Sequence, residues 1–285
     1  MTPKSTRRAA FAARVAMLSL PVSALVAGSP ALAAPVYNWT GFYAGLYAGG
    51  AWGKGKSSAT SDCPDFTTTP GGYFCEGSLP DTQANASAVT GAASGSKSSL
   101  GFTGGVQFGY NWQTGNIVSG IEGDFGAFKI NATRSVSGVY PADTYDPLAG
   151  RNFTVSNSFN TDWLLTTRGR VGWTASNWLI FATGGLAMSR VGIESSFSDN
   201  FGVGASGSGT NSKIKVGWTV GGGVEVALTK NWSVKGEYLY VDLGSVDVVG
   251  KVTNPSAVAI GYANALGVST SLTAHVARLA ANFRF

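Results

Sequence analysis

The carboxy-terminal segment of the chain alternates strictly between two kinds of side chain. Polar or small residues separate apolar ones up to a terminal phenylalanine, with the apolar positions at Ala277, Leu279, Ala281, Phe283 and Phe285. Because successive side chains of a β-strand point to opposite faces, this pattern predicts a strand with one apolar and one polar face. Taken alone, the segment fits either a strand that faces lipid or an amphipathic edge strand of a soluble sandwich.

The same alternation recurs along the whole chain and predicts eight strands. They cover approximately residues 40–54, 99–112, 117–129, 159–173, 178–191, 213–228, 232–243 and 271–285. Short turns follow the second, fourth and sixth strands. Long connections follow the others, at Gly55–Ser98, Ile130–Ser158, Gly192–Ser212 and Gly244–Thr270. Alternating short and long connections are typical of a transmembrane β-barrel. We therefore predict an all-β fold, an eight-stranded antiparallel up-and-down barrel.

The first 33 residues have the three-part layout of a secretory signal peptide. A basic stretch precedes an apolar run over residues 15–27 and a small-residue site at Ala31-Leu32-Ala33. The run is shorter than the roughly 20 apolar residues that a membrane-spanning helix needs. We therefore expect cleavage near Ala33. Residues 34–285 would then form one barrel domain, exported to the outer membrane of a bacterium.

The composition agrees with strands that face lipid. Charged residues make up 12% of the chain, whereas about 25% is usual for a soluble domain. The apolar residues are spread over short alternating stretches, so we expect no transmembrane helix. The formal charge of +5 falls to +1 without the four basic residues of the leader. The basic isoelectric point therefore predicts no nucleic-acid partner.

The tryptophans provide a second test of the barrel. If the strands alternate in direction, each tryptophan falls near a rim, with Trp39, Trp112, Trp173, Trp178 and Trp232 at one rim and Trp52, Trp163 and Trp218 at the other. Tryptophan is enriched at membrane interfaces because its ring is apolar and its N–H group prefers water. We predict that these eight residues form two interface girdles, since buried tryptophans of a soluble sandwich have no reason to sort to strand ends.

The polar faces of the predicted strands carry balanced charge. Four acids and four bases fall on them, namely Glu122, Asp124, Glu225, Glu237, Arg168, Arg170, Lys235 and Arg278, and Asp162 falls on the polar face of the fourth strand as well. Side chains fill the interior of an eight-stranded barrel, and unpaired charge in such a space is costly. We predict that the eight residues form an internal ion-pair network that plugs the lumen. The alternative is a wet channel lined by charges.

Several segments carry a family resemblance. They are Trp39–Gly45, Gly104–Trp112, Val118–Asp124 and Asn231–Gly244, together with the terminal Phe285. In combination they resemble the small porin-like outer-membrane proteins of alphaproteobacteria. The resemblance implies an eight-stranded barrel akin to the transmembrane domain of the OmpA type and a role in envelope integrity, with haemin binding or adhesion in some members. It also implies that the barrel-assembly machinery, with periplasmic chaperones, reads Phe283 and Phe285 as an assembly signal.

Two further features bear on chemistry. Cys63 and Cys75 are the only cysteines, and an even count in an exported protein favours a disulfide over free thiols or a metal site. His275 is the only histidine. Haem ligation by His275 is chemically feasible, but a histidine at the membrane interface is the more ordinary interpretation. With no recognisable nucleophile motif, we expect neither an enzyme nor a bound cofactor or metal.

Three functions fit these features. The first is a structural barrel that supports the envelope, contacts outer-membrane lipids and lipopolysaccharide, and displays surface loops. The second is a narrow pore for ions or small solutes. The third is a receptor or adhesin, for haem or a host surface, in which outer loops such as Gly91–Ser99 and Gly202–Ser212 bind the ligand, since recognition tends to reside in loops on a rigid scaffold.

Overall fold

Eight antiparallel strands close into a single barrel in chain order, so the first strand pairs with both the second and the last. The computed structural model describes residues 37–61, 74, 82–141, 150–253, 255 and 263–285. The strands are β1 Gly41–Ser61, β2 Gly95–Thr114, β3 Ile117–Val139, β4 Asn152–Ala175, β5 Trp178–Asp199, β6 Ser206–Ala227, β7 Trp232–Thr253 and β8 Ala263–Arg284. The predicted fold class is confirmed. The predicted signal peptide and both cysteines lie outside the described residues.

One end of the barrel, here called the turn end, carries the short connections. Residues 115–116, 176–177 and 228–231 link β2 to β3, β4 to β5 and β6 to β7. The opposite end, here called the mouth, carries the longer connections. The one described helix, α1 Thr82–Ala93, follows β1 in the first of them. Within the described part of the chain, no helix is both long and apolar enough to span a membrane.

The strands extend much farther toward the mouth than the sequence indicates. β1 continues to Ser61, β3 to Val139 and β5 to Asp199, so the predicted long connections are wrong over much of their length. The segments Gly91–Ser99 and Gly202–Ser212 lie largely in α1, β2 and β6 and not in loops. The error has a physical cause, because the alternation inverts partway along each strand.

Near the turn end, the outward side chains form an apolar belt, and this part of the barrel is called the belt half. Representative exposed residues are Phe42, Leu46, Phe102, Phe108, Ile121, Phe125, Val171, Ile180, Leu186, Val216, Val220 and Leu279. Beyond the belt, the first polar outward residue is Lys54 on β1, Ser98 on β2, Lys129 on β3, Arg190 on β5, Ser212 on β6 and Asp242 on β7. The belt therefore ends on each of these strands where polar side chains begin.

The rest of the barrel, called the mouth half, has the opposite polarity. Its inward residues form a hydrophobic core that includes Phe128, Ile130, Phe153, Val155, Phe159, Val191, Ile193, Phe197, Val246, Val248, Val268 and Leu272. Its outward residues are mainly serine, threonine and asparagine, for example Ser58, Asn131, Thr133, Ser135, Ser156, Ser196, Ser208 and Thr210. This half has the inside-apolar pattern of a water-soluble β-barrel.

Two strands also change phase between the halves. On β4 the register shifts between Thr161 and Leu164, and on β7 it shifts between Asp242 and Ser245. Gly244 adopts a φ of +67° in the second irregularity, a conformation that glycine tolerates without a steric penalty. The first shift corrects the predicted side of Asp162, whose exposed carboxylate lies 2.8 Å from Lys129 Nζ.

The helix α1 closes part of the mouth from within. Its residues Ala86, Val89 and Ala93 belong to the core of the mouth half. At its carboxy-terminal end, Arg134 Nη1 donates to the Ala92 carbonyl at 2.5 Å and Asn157 Nδ2 donates to the Ala93 carbonyl at 2.7 Å. The last carbonyls of a helix lack partners within the helix, so β3 and β4 fix this helix through its end.

Candidate functional site

Eight charged side chains of the belt half meet inside the barrel. Strand alternation turns them inward, and each is at most 5% exposed, namely Glu122 and Asp124 on β3, Arg168 and Arg170 on β4, Glu225 on β6, Lys235 and Glu237 on β7, and Arg278 on β8. The structure thus brings together all eight residues that the sequence places in the lumen. They are called the charged layer below.

Arg168 is the centre of the charged layer. Its Nη1 donates to Glu237 Oε1 at 2.8 Å and its Nη2 donates to Asp124 Oδ2 at 2.9 Å, and Nη2 also donates to Glu122. One guanidinium therefore neutralises carboxylates from β3 and from β7, across the lumen. An arginine fork suits this role because it presents five donors in fixed geometry.

Arg278 and Lys235 complete the centre of the layer. Arg278 Nε donates to Glu237 Oε2 at 2.7 Å and its Nη2 donates to Asp124 Oδ2 at 2.9 Å. Lys235 Nζ lies 2.8 Å from both carboxylate oxygens of Glu122. Each base thus contacts more than one carboxylate oxygen, and the four strands that carry these residues are cross-linked through the interior.

Arg170 and Glu225 form a second pair nearer the turn end. Arg170 Nη2 donates to Glu225 Oε2 at 2.8 Å. Tyr43 joins the two parts, since its hydroxyl donates to Glu122 Oε2 at 2.6 Å and accepts from Arg170 Nη1 at 3.1 Å. The Arg170 guanidinium also lies 4.2 Å from the centroid of the Phe181 ring.

Sequence reasoning misses several uncharged members of this network. Ser233 and Asn282 donate to Glu225 Oε1 at 2.6 and 2.8 Å, and Gln107 donates to Asn282 Oδ1 at 2.6 Å. Thr166 donates to Asp124 Oδ2 at 2.7 Å. The signal for them is present, because each lies an even number of residues from a charged inward residue or on the polar face of its own strand.

An apolar layer closes the turn end below the charges. It comprises Trp39, Val118, Leu179, Phe181 and Ala227, with Tyr37 packed against it. Trp39 is 2% exposed, and its indole Nε1 donates to Thr174 Oγ1 at 2.8 Å. Burial raises the pKa of Tyr37 above its usual range, and the Arg284 guanidinium lies 4.3 Å from its ring centroid. This layer and the core of the mouth half enclose the charged layer from both ends.

Trp39 therefore corrects the predicted girdle. It precedes β1 and turns into the lumen, where Thr174 satisfies its N–H group. Six of the other tryptophans are exposed on the outside of the barrel, at 45–53%, namely Trp52, Trp112, Trp173, Trp178, Trp218 and Trp232. Trp163 is half-buried beside the β4 irregularity and packs on Phe125.

The carboxy-terminal aromatic residues lie at the turn end. The Phe285 amide donates to the Phe42 carbonyl at 3.1 Å, and its side chain is 78% exposed. Phe283 packs between Trp232 and Phe285, with ring centroids 5.2 and 5.3 Å away. The last residue thus joins β1 beside the seam that closes the barrel.

His275 lies on the outside of β8, directly across from Trp52 and Tyr240 in the strand register. Its Nδ1 is 2.5 Å from the Tyr238 hydroxyl. Among the described residues, no group of three or more His, Cys, Asp or Glu side chains is arranged to hold a metal ion. The arrangement around His275 is an aromatic cluster at the edge of the belt.

Known proteins resemble the chain over most of its length. A family model described as an outer membrane protein β-barrel domain matches residues 21–285. A 31 kDa outer-membrane immunogenic protein of Brucella melitensis is 36% identical over 253 residues, which cover 86% of this chain and 90% of that protein. A 22 kDa outer membrane protein of Rhizobium leguminosarum is 36% identical over 147 residues, or 52% of this chain and 55% of that protein. The crystal structure of OprG from Pseudomonas aeruginosa is 10% identical, with a TM-score of 0.40, and the match covers 88% of this chain and 100% of that one.

Proposed function

The chain belongs to the family of outer-membrane β-barrel proteins, and we propose that it is a non-conducting structural barrel that stabilises the envelope and displays its mouth half at the cell surface. The turn end then faces the periplasm and the mouth faces outward, in keeping with the short periplasmic turns of this class of protein. The stacking of three closed layers in the lumen is the observation that carries the proposal.

Each layer opposes the passage of solutes for its own reason. The apolar layer around Trp39 and the core of the mouth half exclude ions because bare charge is costly to move into an apolar medium. The charged layer between them is neutral overall and internally paired, so an entering ion would have to displace an existing partner. Eight-stranded barrels are narrow enough for side chains to fill them.

Conductance of the purified, folded protein in planar bilayers tests the proposal. We expect no large stable openings under conditions in which a general porin, added as a positive control, opens readily. Folding is checked first by the mobility of the unheated protein in gel electrophoresis. Porin-sized steps from correctly folded protein would contradict a plugged lumen.

The envelope role requires a separate test in cells. A strain that lacks the gene should leak periplasmic enzymes and become sensitive to detergent, and the wild-type gene should restore both properties. An unchanged barrier in the deletion strain would contradict the structural role, whatever the conductance of the barrel.

A narrow path for water or protons is a second candidate. Several buried polar atoms of the belt half have no hydrogen-bond partner within the described part of the chain, among them Gln107 Oε1, Asn111 Oδ1, Asp124 Oδ1 and Arg170 Nε. Buried polar groups are normally satisfied by protein or ordered water. They therefore favour internal water beside β2, β3 and β4. Stopped-flow shrinkage of proteoliposomes distinguishes the two functions, since only the second gives water flux above that of empty vesicles.

We also propose that the barrel has no enzymatic activity. The only histidine, His275, is bonded to Tyr238 on the outside of the barrel, and no cofactor is needed by a structural role. An assay of phospholipid and lipid A turnover in the deletion strain tests this point, and a modification that disappears with the gene would contradict it.

A further inference from the structure

A polar cleft lies on the outside of the mouth half, where β4, β5 and β6 leave the belt. Its volume is about 320 Å³, and it is lined by Asn160, Gly192, Ile193, Glu194, Thr210, Asn211 and Ser212. Amide, hydroxyl and carboxylate groups therefore dominate this depression in the wall, which lies between the β4 register shift at Thr161/Leu164 and the β6–β7 register shift at Ser208/Trp218.

The strand register places this cleft immediately beyond the membrane boundary. Leu165, Met188 and Val216 form the last apolar row of the belt across the three strands. Arg190 and Ile214 pair in the next row of β5 and β6. The cleft follows, with Asn160, Gly192 and Ser212 in one row and Ser158, Glu194 and Thr210 in the row above. Along these strands, the outward side chains thus change within a few residues from an apolar row, through the row that contains Arg190, to polar rows.

Gly192 forms the floor of the cleft. A Cβ atom at this position would lie 2.5 Å from Asn160 Oδ1 and 3.2 Å from its Nδ2. The absence of a side chain therefore lets the Asn160 amide lie across β5 and gives the cleft its depth. This glycine is needed for close approach and not for a special backbone conformation.

Four polar side chains of the cleft are free to bind a ligand, whereas the fifth, Asn211, donates to the Asp247 carbonyl. Within the described part of the chain, the side chains of Asn160, Glu194, Thr210 and Ser212 make no hydrogen bond or ion pair, and all four are exposed. Other polar side chains on the same outer wall are paired, since Lys129 forms an ion pair with Asp162 and Ser137 forms a hydrogen bond with Thr154. An amide, two hydroxyls and a carboxylate together match the donors and acceptors of a sugar.

Positive charge flanks the cleft on its membrane side. Arg190 is exposed, and it forms no ion pair with another described residue. Arg190 lies between the last apolar row and the cleft, at the depth where the polar headgroups of lipids begin. A guanidinium at this position suits a phosphate group because it can donate two parallel hydrogen bonds.

We propose that this cleft binds the phosphorylated sugar headgroup of an outer-leaflet glycolipid. The phosphate contacts Arg190, the sugar hydroxyls contact Asn160, Thr210 and Ser212, and the acyl chains pass over Met188 and Val216 of the belt. Glu194, in the row farther from the membrane, accepts from sugar hydroxyls away from the phosphate. The inference goes beyond a structural role and names a lipid partner and its site.

The test compares the cleft with a matched position on the opposite side of the barrel. The double variant R190A/S212W removes the cation and fills the cleft, and K54A/S98W makes the same changes on β1 and β2, where Lys54 and Ser98 pair just beyond the belt. Full-length folded protein in nanodiscs of zwitterionic phospholipid is titrated with rough lipopolysaccharide. We expect at least a tenfold weaker affinity for R190A/S212W and less than a twofold change for K54A/S98W.

Three results would overturn the inference. They are an unchanged affinity in R190A/S212W, an equal loss in K54A/S98W, and wild-type binding of phosphatidylglycerol as tight as that of lipopolysaccharide, which would indicate general attraction to anionic lipid. Dephosphorylated lipopolysaccharide should bind both wild type and R190A/S212W weakly. The assay does not measure conductance. A negative result would therefore contradict glycolipid binding at the cleft and leave the proposed structural role untouched.

Discussion

The belt half and the mouth half of the barrel use the same strands with opposite polarity. On β3, Phe125 points outward into the belt and Asp124 points into the charged layer, whereas a few residues farther Asn131 points outward and Ile130 lies in an apolar core. The strand does not change face between these positions. The difference teaches that the medium outside the wall, lipid or water, decides which chemistry each face carries.

The two interiors also differ in how they are held together. The charged layer depends on ion pairs, in which every base needs a partner because desolvation offsets much of the attraction. The core of the mouth half depends on apolar burial, which is less directional. We therefore expect the belt half to tolerate loss of a single charge poorly and the mouth half to be sensitive to loss of volume.

The largest effect is expected from R168M in the charged layer. Glu122, Asp124 and Glu237 would lose their shared partner, and removal of one member of a buried pair costs about 3–5 kcal/mol. The control K129M breaks the exposed pair with Asp162, which should cost less than about 1 kcal/mol. Urea unfolding in lipid vesicles measures both, and equal losses would contradict the importance of the charged layer.

A volume change tests the mouth half. In F128A the fully buried Phe128 leaves a cavity, and we expect a loss of about 3 kcal/mol in the free energy of unfolding. The control F125A removes an exposed ring from the belt on the same strand. Lipid chains fill the space there, so the variant loses only the free energy of transferring the ring from water into an apolar medium. A loss in F125A as large as that in F128A would show that the mouth half is not packed like a core.

Charge insertion on the outer wall tests the boundary between the halves. L186R places a cation in the belt, where outer-membrane barrels lose up to about 2–4 kcal/mol near the midplane and less toward the interface, so we expect about 2 kcal/mol. S196R lies on the same face of β5 in the mouth half and should change stability by about 0.5 kcal/mol or less. Vesicle-based unfolding of both variants gives the comparison, and equal effects would place the boundary elsewhere.

Among the test variants, controls aside, the smallest effect on stability is expected from deletion of Phe285. The residue is exposed and makes one backbone bond to Phe42, so we expect a loss of about 1 kcal/mol or less. Outer-membrane levels should fall far more, if the terminal aromatic residue is an assembly signal. Quantification of the protein in membrane fractions, beside F285Y as a conservative control, checks this, and normal levels of the deletion variant would contradict the assembly role.

Much of the belt half was predictable from sequence. Strand cores such as Trp232–Leu243 alternate regularly because one face meets lipid and the other meets the lumen, and all eight charged lumen residues follow from that alternation. The partners of these residues were not predictable. Arg168 contacts Glu237 from a distant strand, and only barrel closure and shear set which inward residues share a level.

Most of the mouth half is not predictable from the sequence. Its strands continue with polar residues outward. A search for strands with an apolar outer face therefore assigns these residues to loops. The β4 irregularity near Thr161 also reverses the inward phase, so that Asp162 faces out. Trp39 follows the rule that tryptophan sorts to a rim, yet its side chain turns inward, where Thr174 offers an acceptor that sequence reasoning did not identify.

Sequence by itself determined that the chain forms a barrel, which face of each belt-half strand is apolar, and that the charges inside balance. The alternation of side chains with a period of two and the cost of unpaired buried charge act locally on every strand. Tertiary structure alone decided where lipid ends and water begins along the wall, which ion pairs form, and that Asn160, Gly192 and Ser212 share a row. Those features depend on register between strands far apart in the chain, and register is a property of the closed sheet.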